Sequence, residues 1–211
     1  VASFQAISAT GAVPVACDVD PQSLCLDWRD AEKRITAKTK AIMPVHYSGG
    51  VGDLDSIHAL AKRAGLRVIE DAAHAFGSTY QKRKVGSFGD IACFSFDGIK
   101  NITSGEGGCI VTDDQEVLRL VRDARLLGVE KDSEIRYAGQ RGWEFEVNRQ
   151  GWRYHMSNVM AAIGIEQLKR FDEIANKRRQ LAECYVTQLE GSTSIKLIKH
   201  DYKEVVPHIF V

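Results

Sequence analysis

Charge of one sign is the first thing this sequence lacks. Its 211 residues carry 28 Lys and Arg against 28 Asp and Glu, a formal net charge of zero. A chain with no basic surplus gives no reason to expect a nucleic-acid partner, which favours a positive surface. Paired-cysteine spacing is missing too. The five cysteines, at 17, 25, 93, 109 and 184, form no CxxC and no Cys/His ligand pattern. Free thiols in a reducing cytoplasm are therefore expected, with no metal site and no disulfide frame. No apolar run approaches 18 residues and no signal-peptide pattern is visible, so nothing directs the chain to a membrane. There is no repeat and no low-complexity tract. What remains, 44% hydrophobic and 27% charged residues, suits a globular chain able to bury a substantial core.

Short apolar runs alternate with helix-patterned segments. Strands are expected over Ala12 to Cys17, Lys40 to Val45, Leu66 to Ile69, Ile91 to Phe96 and Gly108 to Thr112. Between them, Asp53 can cap a helix carrying Leu54, Ile57, Ala61 and Ala64 at helical spacing, and Asp113 with Glu116 resembles a capping box. This alternation predicts an α/β fold, a mostly parallel sheet with helices on both faces. Residues 129–152 are polar and irregular, an expected surface excursion. From Ser157 to about Leu189 the pattern is one long helix or two consecutive ones, with Met160, Ile163, Phe171 and Ile174 on one side. The chain opens on "VASFQAISATGAVPVACDVD" and closes on "VVPHIFV", which looks like a strand just beginning. Both ends break off mid-pattern, and a fragment is expected. Trp28 and the "DAEKR" and "NKRRQ" runs are expected on solvated helix faces, and His46 and His58 have no evident supporting neighbours.

In an open α/β sheet, ligands sit outside the carboxyl ends of the strands. In "VIEDAAHAFG", Asp71 follows an apolar strand and His74 comes three residues later; in "CFSFDGIKNITSGEGGCIV", Ser95 ends a strand and Lys100 occupies the turn before a glycine-rich loop. Singly, each has an ordinary explanation. Acids at strand ends cap helices or meet water, a lone His packs or is solvated, a Ser satisfies backbone groups, and a turn lysine is solvated. Within about thirty residues, at matching strand ends, they make a set. A lysine that loses its proton condenses with a carbonyl. Pyridoxal phosphate, an aldehyde cofactor, needs an amine, an anion near its ring nitrogen, a partner for its ring hydroxyl and donors for its phosphate. Lys100, Asp71, His74 and Ser95 are candidates for all four.

The segments "EDAAHAFGS", "GSFGDIACFSF" and "KNITSGEGGCIVTDD", in this order and spacing, resemble the DegT/StrS-type sugar aminotransferases, fold type I pyridoxal-phosphate enzymes. The resemblance extends through "GAVPVACDVDP", "PVHYSGGVGDLDSI" and "GWRYHMSNVMAAIGIEQLKRFDEI", essentially the whole chain. It implies that Lys100 is the lysine that joins the cofactor's aldehyde and then shuttles a proton. It makes Asp71 the acid paired with the pyridine nitrogen, His74 the residue beside the ring, and Ser95 a phosphate ligand. The family's "GYNYRMS" segment reaches the neighbouring subunit's phosphate through its Asn. Here "GWRYHMS" places Arg153 at that position, a charged donor, and His155 where the family has Arg. A homodimer with shared sites is implied. The resemblance also implies residues 1–180 as the cofactor-binding large domain, lacking its N-terminal part, and 181–211 as the start of a small C-terminal domain that is mostly missing. The phosphate-holding turn and the stacking aromatic are expected upstream of Val1. His208 falls where family members present a substrate-facing residue.

The implied function is transamination of a keto-sugar nucleotide, with glutamate as the expected donor, in amino-sugar and polysaccharide biosynthesis. A cyclitol or amino-aromatic acceptor and a non-catalytic regulatory protein on the same scaffold are the alternatives. Relatives that remove a hydroxyl carry His in place of the lysine, so Lys100 argues against dehydration. Nothing in these residues reads a particular sugar.

Overall fold

The computed structural model describes residues 1–130, 145–192 and 194–211. Four strands form the central sheet: β1 (Ala41–Ile42), β2 (Arg67–Asp71), β5 (Ile91–Ser95) and β6 (Gly108–Thr112), in the order β1-β2-β5-β6. The β1–β2 and β2–β5 pairs are parallel, and β6 closes the edge antiparallel to β5. A small antiparallel hairpin, β3 (Thr79–Tyr80) with β4 (Arg83–Lys84), lies between β2 and β5. The helices are α1 (Ala2–Ala9), α2 (Trp28–Arg34), α3 (Leu54–Ala64), α4 (Gln115–Ala124), α5 (Asn158–Lys169) and α6 (Phe171–Leu189). A mixed, mostly parallel sheet with helices is the α/β architecture expected.

Helix α3 shows why the pattern held. Asp53 accepts a hydrogen bond from Ser56 N at 3.1 Å, and Gly65 ends the helix at φ +66°, a left-handed conformation that costs glycine nothing. Leu54, Ile57, Leu60 and Ala61 are its buried residues. Leu60 takes the place expected for Ala64, which lies exposed in the last turn. This face packs on Ile42 and Val68 of the sheet and Ala31 of α2. Each buried Leu, Ile or Val here contributes about 1.5–3 kcal/mol of burial.

Several expectations are corrected. Ala12 to Cys17 forms no strand: it has no ladder partner among the described residues, and Val13 and Val15 stand 83% and 66% exposed. Of Lys40 to Val45, only Ala41–Ile42 is strand, with an isolated bridge from Val45 to Asp71. Asp114, not Asp113, caps α4, accepting from Glu116 N and Val117 N. The span from Ser157 takes the second of its two expected forms, two consecutive helices that meet at Arg170. Residues 205–211 are not a strand. Pro207 has no N–H to give, and the carbonyls there are taken by side chains from Asn101, Arg178 and Arg179 instead of a neighbouring strand. Trp28 is half-buried against the core beside α2, not solvated. Of the surface excursion expected over 129–152, residues 131–144 lie outside the described residues; Val129 bridges to Val147.

Candidate active site

Parallel pairing puts Asp71 of β2 opposite Cys93 of β5. Side chains alternate faces along a strand, so Asp71, Cys93 and Ser95 share one face of the sheet at its carboxyl end. Asp71 is held from both sides: Ser3 Oγ of α1 donates to Oδ2 at 2.6 Å, and Ala73 N donates to Oδ1 at 3.2 Å. His74 lies in the following turn. Its ring is 4.2 Å from that of His208, centroid to centroid, and 6.1 Å from that of Tyr47.

Electrostatics joins these groups. Burial pushes the His74 pKa down, the charge of Lys100 pushes it the same way, and the charge of Asp71 pulls it up. One imidazole therefore feels both the amine and the carboxylate singled out in the sequence. His208 is pushed down to about 4, first by burial and then by His74, Lys100 and Arg178, so it is neutral at pH 7. The Nδ1 atoms of His74 and His208 are both buried without a hydrogen-bond partner. Orphaned polar atoms of this kind are costly unless a ligand meets them.

Lys100 is half-buried in the turn after β5, where its N–H donates to Asp97 O at 3.0 Å. Ser95 Oγ accepts from Asp97 N at 3.3 Å, which leaves its own proton for another acceptor. The turn returns through a glycine-rich loop whose ends are pinned by Ser104 N to Phe96 O and Phe96 N to Gly107 O, at 2.9 and 2.8 Å. Arg153 stands apart. Its backbone bridges to Leu126, its side chain is exposed, and it has no bonding partner among the described residues.

The architecture and this donor set have counterparts among known proteins. The profile of the DegT/DnrJ/EryC1/StrS aminotransferase family matches residues 1–211. The chain belongs to that family. It is 41% identical over 203 residues, 96% of its length, to the spore coat polysaccharide biosynthesis protein SpsC of Bacillus subtilis (strain 168), covering 52% of that protein. The crystal structure of S. venezuelae DesV in complex with a ketimine intermediate matches 99% of the chain at TM-score 0.86 and 34% identity, with 54% of DesV covered. B. subtilis NtdA, solved with bound PMP, matches 99% at TM-score 0.84 and 33% identity, with 46% of NtdA covered. The chain spans about half the length of the curated relatives it matches.

The family's enzymes depend on pyridoxal phosphate, and the groups present here fit that cofactor. A carboxylate and a hydroxyl stand at the carboxyl ends of β2 and β5, and an amine-bearing residue sits in the turn after β5. Beside them lie the half-buried His74 and the buried His208, each with an Nδ1 atom that has no hydrogen-bond partner among the described residues.

The structure also holds residues that reading the sequence missed. Glu70, only 1% exposed, faces away from Asp71 and accepts from His46 Nε2 at 2.8 Å, while His58 Nε2 lies 3.7 Å from its other oxygen. His46 and His58 thus have a shared supporting neighbour after all. Ser3 and Arg178 reach the site from segments distant in sequence, while Asn101, next to Lys100, ties that turn to Val206. The "NKRRQ" run is corrected in the same way, since its Arg178 turns inward. Only the acid at Glu70, beside an equally acidic residue in an apolar strand, left a local signal.

Proposed function

We propose that this chain is the cofactor-holding part of a pyridoxal-phosphate-dependent aminotransferase that moves an amino group from glutamate to a keto-sugar nucleotide. The observation that carries this reading is the placement of Asp71 and Ser95 on one face at the ends of adjacent parallel strands, with His74 and Lys100 in the turns that follow. SpsC, named for spore coat polysaccharide biosynthesis, and H. pylori PseC, an aminotransferase involved in the biosynthesis of pseudoaminic acid, support an amino-sugar product. Residues 1–180 form the cofactor-binding unit in this reading, and 181–211 lead into a second domain. The same reading places the protein in the cytoplasm.

When bound, pyridoxal phosphate supplies an aldehyde that condenses with amines and a protonated ring that accepts electrons. Lys100 offers the amine; once free, that amine takes the proton from the substrate carbon and returns it elsewhere. The Asp71 carboxylate holds a proton on the ring nitrogen by Coulomb attraction, and Ser3 and Ala73 N fix its orientation. His74 is kept neutral beside the ring, so it can accept or donate one hydrogen bond to the ring hydroxyl. The Ser95 hydroxyl donates to phosphate. The deciding experiment uses the full-length protein. It should absorb near 400–430 nm, a rough expectation for such a cofactor–lysine adduct, bleach with glutamate, and recover with one member of a panel of keto-sugar nucleotides. Cyclitol and amino-aromatic ketones form the comparison arm. No visible band after loading, and no amino transfer to any acceptor, would refute the reading.

The homodimer belongs to the same proposal. Val159, Ile165 and Leu168 of α5 are 73%, 55% and 57% exposed, and Trp152 and Tyr154 flank Arg153 on the surface. An apolar helix with no buried residue needs a cover, and a second copy would bring Arg153 to its neighbour's phosphate. Light scattering should give a dimer, and Arg153→Ala should loosen cofactor retention. A fully active monomer would overturn this part.

A further inference from the structure

Sheet hydrogen bonds do not hold Lys100. It lies beyond β5, in a turn where, among the described residues, its one backbone–backbone hydrogen bond is to Asp97. Two side chains tie this turn to its surroundings. Asn101, buried, donates through Nδ2 to Val206 O at 3.0 Å and lies 3.3 Å from both His74 O and Phe76 O. Arg178 of α6 brings Nη2 to 3.3 Å from Lys100 O, and Nη1 to 3.0 Å from His208 O and 3.4 Å from Pro207 O.

Arg178 is unlike its neighbours on α6. Lys177 is exposed and paired with Glu173 at 2.7 Å. The Arg178 guanidinium is half-buried, and no carboxylate pairs with it among the described residues. Among the described residues, its bonding partners are main-chain carbonyls. Withdrawing a cation from water without a counter-ion is unfavourable, so the interaction is not explained by stabilisation of the helix. The planar guanidinium fork, in contrast, suits bridging fixed acceptors, which an ammonium cannot do. The three carbonyls it bridges belong to the amine-bearing turn and to the segment that sets His208 on His74.

We propose that Arg178 is a positioning residue: by bridging the carbonyls of Lys100 and His208, it fixes the Lys100 turn relative to Asp71 and His74. The efficiency of amino transfer then depends on a guanidinium bonded only to the backbone. This rests on Lys100 being the cofactor-bearing amine. A small displacement of such a group can cost up to about 100-fold in rate.

The test uses full-length protein carrying Arg178→Ala or Arg178→Lys, with Lys177→Ala as an exposed control. Without cofactor, hydrogen exchange at the amides of residues 99–103, 205, 206, 208 and 209 should quicken about tenfold or more in Arg178→Ala, with β2 and α3 unchanged. In loaded protein, kcat should fall roughly 10- to 100-fold with the KM for glutamate within about twofold. Added guanidinium ion should restore part of it, and Arg178→Lys should not reach wild type. Unchanged exchange in the two segments, uniformly faster exchange across the sheet, or an unchanged kcat would each overturn the proposal. A wild-type protein with no amino transfer would sink the functional reading and the catalytic half of this one. The clamp itself stands or falls on the exchange data, which need neither cofactor nor substrate.

Discussion

Lys100→Ala should lower amino transfer by about 10⁴-fold, the upper end of what one acid–base group contributes, because the variant loses both the amine and the proton carrier. The fold should survive. The Lys100 side chain makes no hydrogen bond among the described residues, and the contacts of this residue that matter to packing are those of its backbone, with Asp97 and Arg178. An alanine keeps both. The melting temperature should therefore stay within about 2 °C, as for a substitution away from caps, cores and buried pairs. Borohydride treatment followed by peptide mass analysis gives the second readout: cofactor fixed to the Lys100 peptide in the wild type, none in the variant. A variant that kept full turnover would remove the mechanism.

Glu70→Ala should destabilise the protein by about 1–3 kcal/mol, the usual cost of leaving a buried hydrogen-bond donor unmet. Glu70 and His46 are each 1% exposed. An ionised carboxylate can only accept, so His46 must donate through Nε2, and alanine would leave that buried N–H unmet. The urea midpoint of the full-length protein measures the loss. Acid behaviour gives an independent check. Burial works against ionisation of Glu70, but the His46 bond and the nearby His58 outweigh it and hold the carboxyl below its ordinary value of 4.5. At 3.7 Å, His58 Nε2 is too far from Glu70 for a hydrogen bond. A carboxyl with a depressed folded pKa lends its stability above the unfolded value and gives it up as pH falls through the folded one. Wild type should thus lose stability below about pH 4.5 more steeply than Glu70→Gln. Matching slopes would show that the buried carboxylate is not an important acid-sensitive anchor. The pair also bears on the site: Glu70 locks the end of β2 on one face of the sheet while Asp71 projects from the other.

Much of the fold was legible because its signals are local. The β6 range and the Asp53 cap follow from alternation, helical spacing and cap chemistry within a dozen residues. The strand expected at Ala12 to Cys17 failed because a strand exists only with a partner, and sequence spacing cannot supply one. The terminal segment 205–211 failed for a related reason: its apolar residues do signal burial, and Val205 and Val206 are buried, but its polar backbone is met by side chains, which hydropathy does not reveal.

By itself the sequence determined the chemistry available: an acid, an imidazole, a hydroxyl and an amine at strand ends, in an order that the aminotransferase family shares. Only tertiary structure decided which of them meet and what holds them. Arg178 lies 78 residues from the carbonyl it bonds at Lys100, and Asn101 lies 105 residues from Val206. A side chain chosen to satisfy a carbonyl that far along the chain carries no periodicity, so a run of charges that looks solvated can conceal the one that turns inward.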